Sequence, residues 1–160
     1  MDSTQVLSIL ENSTTKMFVE SGEAVETLEV GRDQLPEGLT CIISFNGDVT
    51  GQVIVFWDVQ SALKFAQDKM KFFCGVDVVY TGVDDEVIEI IAEFTNEVAG
   101  AFLTSLSRGD VVIKIMTPVI STGNVAYPSY DSLKVVSYNL GEFNMHLGLI
   151  LDLDVTMLKH

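Results

Sequence analysis

The sequence predicts an α+β fold in which long helices pack on a largely antiparallel sheet. Helical and strand-like segments form separate blocks, which is typical of this fold class. Two strand-like runs meet at Asn46-Gly47-Asp48, a turn sequence common in antiparallel hairpins. The order α-β-β-β-α followed by α-β-β-β indicates two pseudo-two-fold halves with one extra helix between them, although no residue-level repeat accompanies the pattern.

Hydrophobic spacing assigns the individual elements. Residues 3–20 and 60–72 carry apolar side chains at helical spacing, so both segments are predicted to be helices. Runs rich in β-branched and aromatic residues are predicted to be strands. These runs cover residues 26–30, 39–47, 51–58, 110–116, 132–140 and 143–153, with a loop over 122–132.

A third and longer helix is predicted between the two halves. Asp84 can cap its free backbone amides, while Asp85 and Glu86 lie favourably against the positive end of the helix dipole. These consecutive acids point in different directions, so they are interpreted as a cap and not as a metal site. Arg108-Gly109 is typical of a helix end, with a cation in the last turn. The helix would contain about 24 residues and measure roughly 36 Å.

Composition limits the classes of function. A chain of 160 residues, 48% hydrophobic, is expected to form a single domain over residues 1–160. Its net charge of −14 disfavours binding to nucleic acid or to anionic membranes. The amino-terminal residues MDSTQVLSIL carry no basic residue, and no apolar run approaches the roughly 20 residues that span a bilayer. We therefore expect a cytoplasmic protein.

The residues that usually carry catalysis or bind metals are few. Cys41 and Cys74 are interpreted as buried small hydrophobic residues, and Trp57 as a core residue. His146 is interpreted as an ordinary strand residue, and His160 is the last residue. No nucleophile with a histidine base and no nucleotide-binding loop can be defended, so no metal site and no cofactor of its own are expected.

One face of the long helix combines residues that local stability does not explain. At about 100° per residue, the buried side would carry Val87, Ile91, Phe94, Val98 and Phe102. The opposite stripe would carry Asp85, Glu89, Glu93, Asn96 and Gly100. Asparagine and glycine are poor helix formers, and like charges one turn apart repel. The stripe is either a solvated face or a surface on which a partner docks, with Gly100 leaving room for close approach.

The run DDEVIEIIAEFTNEVAGAF resembles the helix of the CheC/CheX/FliY chemotaxis phosphatases, most closely the CheX branch. The similarity comprises the Glu93-x-x-Asn96 pair, Ala99-Gly100, and Pro118 after a short strand. It extends to the N-terminal helix, the segment FNGDVTGQVIVFWDVQSALKFAQDKM and the closing hairpin. The resemblance thus covers most of the chain from about residue 40 onward.

The resemblance implies an enzyme that dephosphorylates the phospho-aspartate of a CheY-type response regulator. It implies that Glu93 engages a lysine of the regulator and that Asn96 positions the attacking water. The regulator would supply Mg²⁺, and the chain would form a homodimer. Asp85, Glu89 and Gly100 would complete the partner-binding surface, although family members often carry Asp or Ser where this chain has Glu89.

Two further expectations concern alternatives and the number of sites. The stripe also suits a non-catalytic module of the same fold that docks on a signalling or flagellar-switch protein. Some members of the resembling family carry the motif in both halves. In LENSTTKMF of the first helix, Glu11 could match Glu93, but Thr14 would stand in place of Asn96. A hydroxyl is shorter than an amide, so we expect one active site per chain.

Overall fold

The computed structural model describes residues 2–21, 25–28, 35–107, 112–123 and 133–152. These residues form three helices and seven strands. The helices are α1 (Ser3–Glu20), α2 (Val59–Cys74) and α3 (Asp85–Leu106). The strands are β1 (Glu26–Leu28), β2 (Gly38–Gly47), β3 (Gly51–Trp57), β4 (Ile113–Ile115), β5 (Val119–Gly123), β6 (Lys134–Asn139) and β7 (Asn144–Leu151). The α+β class is confirmed.

The strands form one antiparallel sheet whose order reflects the two halves. The order is β1-β6-β7-β3-β2-β4, and β5 pairs with β2 alongside β4. The central pair, β3 with β7, joins the hairpin of the first half to the hairpin of the second. β1 pairs with the second hairpin, whereas β4 and β5 pair with the first. Each half therefore contributes its first strand to the other half, as a pseudo-two-fold arrangement requires.

The predicted hairpin joins β2 to β3. Gly47 has φ of +135°, a conformation that side-chain-bearing residues rarely adopt, and a Cβ there would collide with the carbonyl oxygen of Val112. Asp48 closes the same corner, since its Oδ2 accepts from the Val112 backbone N–H at 2.8 Å. The turn thus fixes the hairpin and ties it to the residues before β4.

The main core lies between the helices and one face of the sheet. Trp57 is fully buried there, as predicted, and Cys41 belongs to the same core. Ile54 and Phe56 project to the opposite face, where a smaller apolar cluster forms. The prediction that Cys74 is buried is wrong, because α2 continues beyond residue 72 and leaves this thiol exposed at its end.

The structure differs from the sequence prediction at three other points. The sequence does not predict β5, a strand that pairs with β2 and lies at one edge of the sheet. Helix α3 ends at Leu106 with no basic residue in its last turn, and Arg108-Gly109 lies outside the described residues. His146 lies in a strand as predicted, but it is buried and its Nδ1 is 2.7 Å from the Ser137 hydroxyl. Most of the predicted 122–132 loop also lies outside the described residues.

Candidate functional site

Helix α3 begins as the sequence predicts. Asp84 is its N-cap, with Oδ1 accepting from the Val87 backbone N–H at 2.9 Å. Asp85 and Glu86 occupy the first turn, where negative side chains stabilise the positive end of the helix dipole. The predicted apolar face is buried throughout: Val87, Ile91, Phe94, Val98 and Phe102. The rotational setting of the helix is therefore fixed by its packing.

The five predicted site residues lie together on the outward face of α3. Asp85, Glu89, Glu93 and Asn96 are exposed, and Gly100 is half-buried. From Asp85 to Gly100 the stripe runs for roughly 22 Å along the helix axis. A Cβ built on Gly100 would meet no atom within 4 Å. Packing within the described chain therefore does not require a glycine here.

Asn96 and Glu93 present functional groups that are unpaired among the described residues. Within the described part of the chain, the Asn96 amide has no hydrogen-bond partner, so its oxygen and NH₂ group are free to contact a ligand or water. Glu93 forms no ion pair with the described lysines. The two residues are three positions apart and therefore neighbours on one helical surface. An acceptor carboxylate and a bifunctional amide thus face solvent side by side.

Phe94 anchors the helix directly beneath this pair. Its ring centroid lies 4.7 Å from that of Phe65 in α2 and 5.7 Å from that of Phe18 in α1. It also packs against Trp57 of β3, with a centroid separation of 6.0 Å. Both helices and the sheet therefore hold the turn that carries Glu93 and Asn96. A site on such a packed element is positioned more accurately than one on a loop.

A groove between α2 and α3 adjoins the stripe, and sequence reasoning did not predict it. Its volume is about 370 Å³. The lining residues are Lys69, Met70, Phe73, Cys74, Ile90, Glu93, Phe94 and Glu97. Glu93 belongs both to the stripe and to this groove. The sequence feature that could have predicted the groove is the Phe72-Phe73-Cys74 run at the end of α2, because it places apolar residues beyond the buried face of the helix.

Electrostatics in the groove are unbalanced toward negative charge. Burial raises the pKa of Glu97, and the nearby Glu93 carboxylate raises it further, whereas Lys69 lowers it. The Lys69 ammonium lies 5.2 Å from the centroid of Phe65 and 5.6 Å from that of Phe73. This cation is therefore placed over aromatic rings. Two carboxylates and one ammonium border the apolar floor.

The corresponding face of α1 differs from the sequence prediction in register. Thr14 is fully buried, so it corresponds to the buried Thr95 and not to the exposed Asn96. The α1 residue that corresponds to Glu93 is therefore Asn12, one position after the predicted Glu11. Thr15 lies at the position that corresponds to Asn96, and its hydroxyl is 3.3 Å from that of Tyr138. Neither Thr14 nor Thr15 carries an amide.

The described residues offer neither a metal-binding cluster nor a membrane-spanning helix. Residues 2–21, 25–28, 35–107, 112–123 and 133–152 contain no cluster of three or more His, Cys, Asp or Glu side chains suited to a metal ion. Among the same residues, none of the helices combines the length and the apolarity needed to cross a lipid bilayer.

Comparison with solved structures identifies the fold. The chemotaxis protein CheX from Vibrio vulnificus matches with a TM-score of 0.70 at 16% identity, over 94% of this chain and 95% of that one. CheX in the CheX-CheY-BeF3-Mg+2 complex from Borrelia burgdorferi matches with a TM-score of 0.65 at 21% identity, over 94% and 97%. FliY from Thermotoga maritima matches with a TM-score of 0.62 at 16% identity, over 94% and 88%. At these identities the matches show a shared fold.

Sequence comparison identifies the family. A search among curated proteins found no match. The family model described as chemotaxis phosphatase CheX matches residues 39–138, which is more than half of the chain and includes Glu93 and Asn96. The chain therefore belongs to the CheX family of chemotaxis phosphatases.

Proposed function

We propose that the chain hydrolyses the phospho-aspartate of a CheY-type response regulator and that Asn96 orients the attacking water. The observation that carries this proposal is the exposed Asn96 amide, which has no hydrogen-bond partner among the described residues and lies beside Glu93 on a helix packed against both other helices and the sheet. Family membership supports the reaction class, and the solved Borrelia burgdorferi complex contains a CheX protein together with CheY, beryllofluoride and magnesium.

An acyl phosphate requires positioning more than a nucleophile from the enzyme. The oxygen of water forms a bond to phosphorus as the bond between phosphorus and the aspartate oxygen breaks. The products are inorganic phosphate and a free carboxylate, and the proton lost by water passes to phosphate or solvent. Mg²⁺ bound to the regulator neutralises charge on the transferred group. The chain's contribution is to hold water in line with the breaking bond.

An amide suits this task better than a carboxylate. The carbonyl oxygen of Asn96 accepts a hydrogen bond from the water, and its NH₂ group can donate to a phosphoryl oxygen. A neutral group brings no repulsion to the phosphoryl dianion. Because Glu93 lies three residues earlier, its carboxylate can bind a lysine of the regulator while Asn96 enters the regulator's active site.

The remaining stripe residues would bind the regulator without taking part in the reaction. Glu89 and Asp85 extend the negative surface toward the start of α3, where they attract basic groups. Gly100 leaves space for close approach at the other end. The partner is a cytoplasmic signalling protein in this proposal, so we place the chain in the cytoplasm as well.

We also propose that the chain forms a homodimer. Around β4 and β5, Val112, Met116 and Val119 are 72%, 52% and 61% exposed, and apolar side chains at a sheet edge favour association. Sedimentation equilibrium of the purified chain at micromolar concentration tests this proposal. A mass equal to one chain across the concentration range would contradict it.

The reaction itself is tested by release of phosphate from a phosphorylated CheY-type receiver with and without the chain. We expect decay to accelerate in proportion to the amount of chain added. Beryllofluoride-loaded receiver should bind the chain in a parallel titration. Binding without acceleration across several receivers would reject the phosphatase proposal and favour the non-catalytic docking module.

A further inference from the structure

The groove between α2 and α3 has no role in the water-positioning mechanism, yet it opens beside the residues that carry it. We propose that it seats an apolar side chain of the receiver domain that lies next to a basic group, and that this contact helps select the regulator. The inference rests on the proposed function, because it assigns an additional contact to the same partner.

The lining of the groove supports an apolar occupant. Phe94 and Ile90 form part of its floor, and Phe73 stands at its edge with 69% of its surface exposed. An aromatic side chain left this exposed can gain much by burial in an interface, where such residues dominate binding. A volume of about 370 Å³ is large enough to admit one apolar side chain.

The charges around the groove support a basic neighbour. Glu93 and Glu97 both line it, and burial raises the pKa of Glu97, with a further increase caused by Glu93. A cation would relieve the repulsion between these carboxylates. Lys69 faces the same space but lies over the rings of Phe65 and Phe73. A basic group on the partner therefore complements a groove that retains excess negative charge.

Continuity with the stripe identifies the occupant as the receiver domain. Glu93 lines the groove and also lies one helical turn from Asn96. A receiver that brings its phosphoryl group to Asn96 would therefore cover Glu93 and extend over the adjoining groove. An unrelated partner bound in the groove would instead compete with the receiver.

Two adjacent phenylalanines provide a matched test. Phe72 and Phe73 are 72% and 69% exposed, and their rings contact each other, but of the two Phe73 lines the groove. We expect Phe73→Ser to raise the KM for phosphorylated receiver roughly tenfold with kcat unchanged, since it removes binding and not chemistry. Phe72→Ser should leave both constants unchanged. Equal effects of the two substitutions, or an effect of Phe73→Ser on kcat alone, would overturn the proposal.

The native thiol in the groove provides a test that does not depend on activity. Of the two cysteines in the sequence, Cys41 is buried and Cys74 is exposed. N-ethylmaleimide should therefore modify Cys74 selectively, because burial also raises the pKa of Cys41. We expect saturating receiver loaded with beryllofluoride and Mg²⁺ to slow this modification at least tenfold.

The control places a thiol elsewhere on the same helix. In a Cys74→Ser/Gln60→Cys variant the thiol lies roughly 21 Å away along α2, and its modification rate should not change when the receiver binds. Undiminished Cys74 modification in a complex verified by gel filtration would overturn the groove proposal. If the wild-type chain fails to accelerate dephosphorylation but Cys74 is protected, the phosphatase proposal fails and the groove proposal stands.

Discussion

Helices α1 and α3 occupy related positions in the two halves, but their outward faces differ. Their buried residues correspond in order: Val6, Leu10, Ser13, Thr14 and Phe18 match Val87, Ile91, Phe94, Thr95 and Ala99. By the same correspondence, Asn12 is the counterpart of Glu93, and Thr15 is the counterpart of Asn96. Thr15 bonds to Tyr138 within the fold, whereas the Asn96 amide has no side-chain partner among the described residues.

This difference separates the requirements of the fold from those of the site. Both helices conserve an inward pattern because each must cover the same sheet. The outward residues are not constrained by that packing, so α3 can carry three acids, an asparagine and a glycine. The pseudo-symmetry therefore provides a control position on α1 for each proposed functional residue on α3.

The largest expected effect is on stability and concerns Phe94, the residue packed beneath the site. Replacing Phe94 with Ala should lower the free energy of unfolding by about 3–5 kcal/mol, because it removes a buried ring that packs on both other helices and β3. Ser13→Ala, at the matching α1 position, removes one hydroxyl bonded to the Leu10 carbonyl and should cost about 1 kcal/mol or less. Urea denaturation measures both. Equal losses would show that the Phe94 ring does not anchor α3 as its contacts indicate.

A smaller effect, on receiver binding, is expected when the Glu93 carboxylate is removed. Glu93→Ala should raise the Kd for beryllofluoride-loaded receiver roughly tenfold, because it removes a charged hydrogen-bond acceptor from the partner's lysine. Asn12→Ala, its counterpart on α1, should leave the Kd unchanged. Isothermal titration calorimetry with each variant distinguishes the helices. Unaltered binding by Glu93→Ala would remove the docking role from this residue.

Gly100 should show opposite effects on stability and binding. Because a Cβ here meets no neighbouring atom, Gly100→Ala should raise the free energy of unfolding by about 0.5–1 kcal/mol. It should nevertheless weaken receiver binding, since the methyl group projects into the proposed interface. Val19 lies at the matching α1 position and is 60% exposed, so Val19→Ala provides the binding control. A stabilised variant with wild-type affinity would exclude close approach at Gly100.

The smallest effect concerns the pKa of Glu97. Burial and the Glu93 carboxylate both raise this pKa, so Glu93→Gln should lower it toward the usual glutamate value. A raised pKa in the folded state means that the ionised Glu97 opposes folding. Its contribution to stability therefore improves as pH falls through that pKa. Carbon-detected NMR titration of both proteins tests the coupling, and an identical Glu97 pKa in the variant would contradict it.

Much of the helix that carries the candidate site could be predicted from sequence. The spacing of apolar residues in α3 predicted which face of the helix is buried, and Asp84 indicated where the helix begins. The Asn46-Gly47-Asp48 turn likewise identified the β2–β3 hairpin. These features depend on residues close together in the chain, where spacing and backbone preference act directly.

Features that depend on distant residues were missed. β5 contains Ser121, Thr122 and Gly123 in a five-residue segment, and it is stabilised by pairing with β2 far away in sequence. The groove arises from the packing of α2 on α3, which no single periodicity encodes. The register error in α1 arose because Glu11 resembled the motif glutamate, whereas the buried Thr14 reveals the correct alignment.

The central claim is that Asn96 orients water for phospho-aspartate hydrolysis. Its most direct test is the rate constant for receiver dephosphorylation at saturating chain concentration, in the wild type and in Asn96→Ala and Thr15→Ala variants. We predict a loss of roughly 10²-fold for Asn96→Ala, the scale of a lost preorganised hydrogen-bonding group, with receiver binding retained. Thr15→Ala should match the wild type. A wild-type rate constant in Asn96→Ala would contradict the claim.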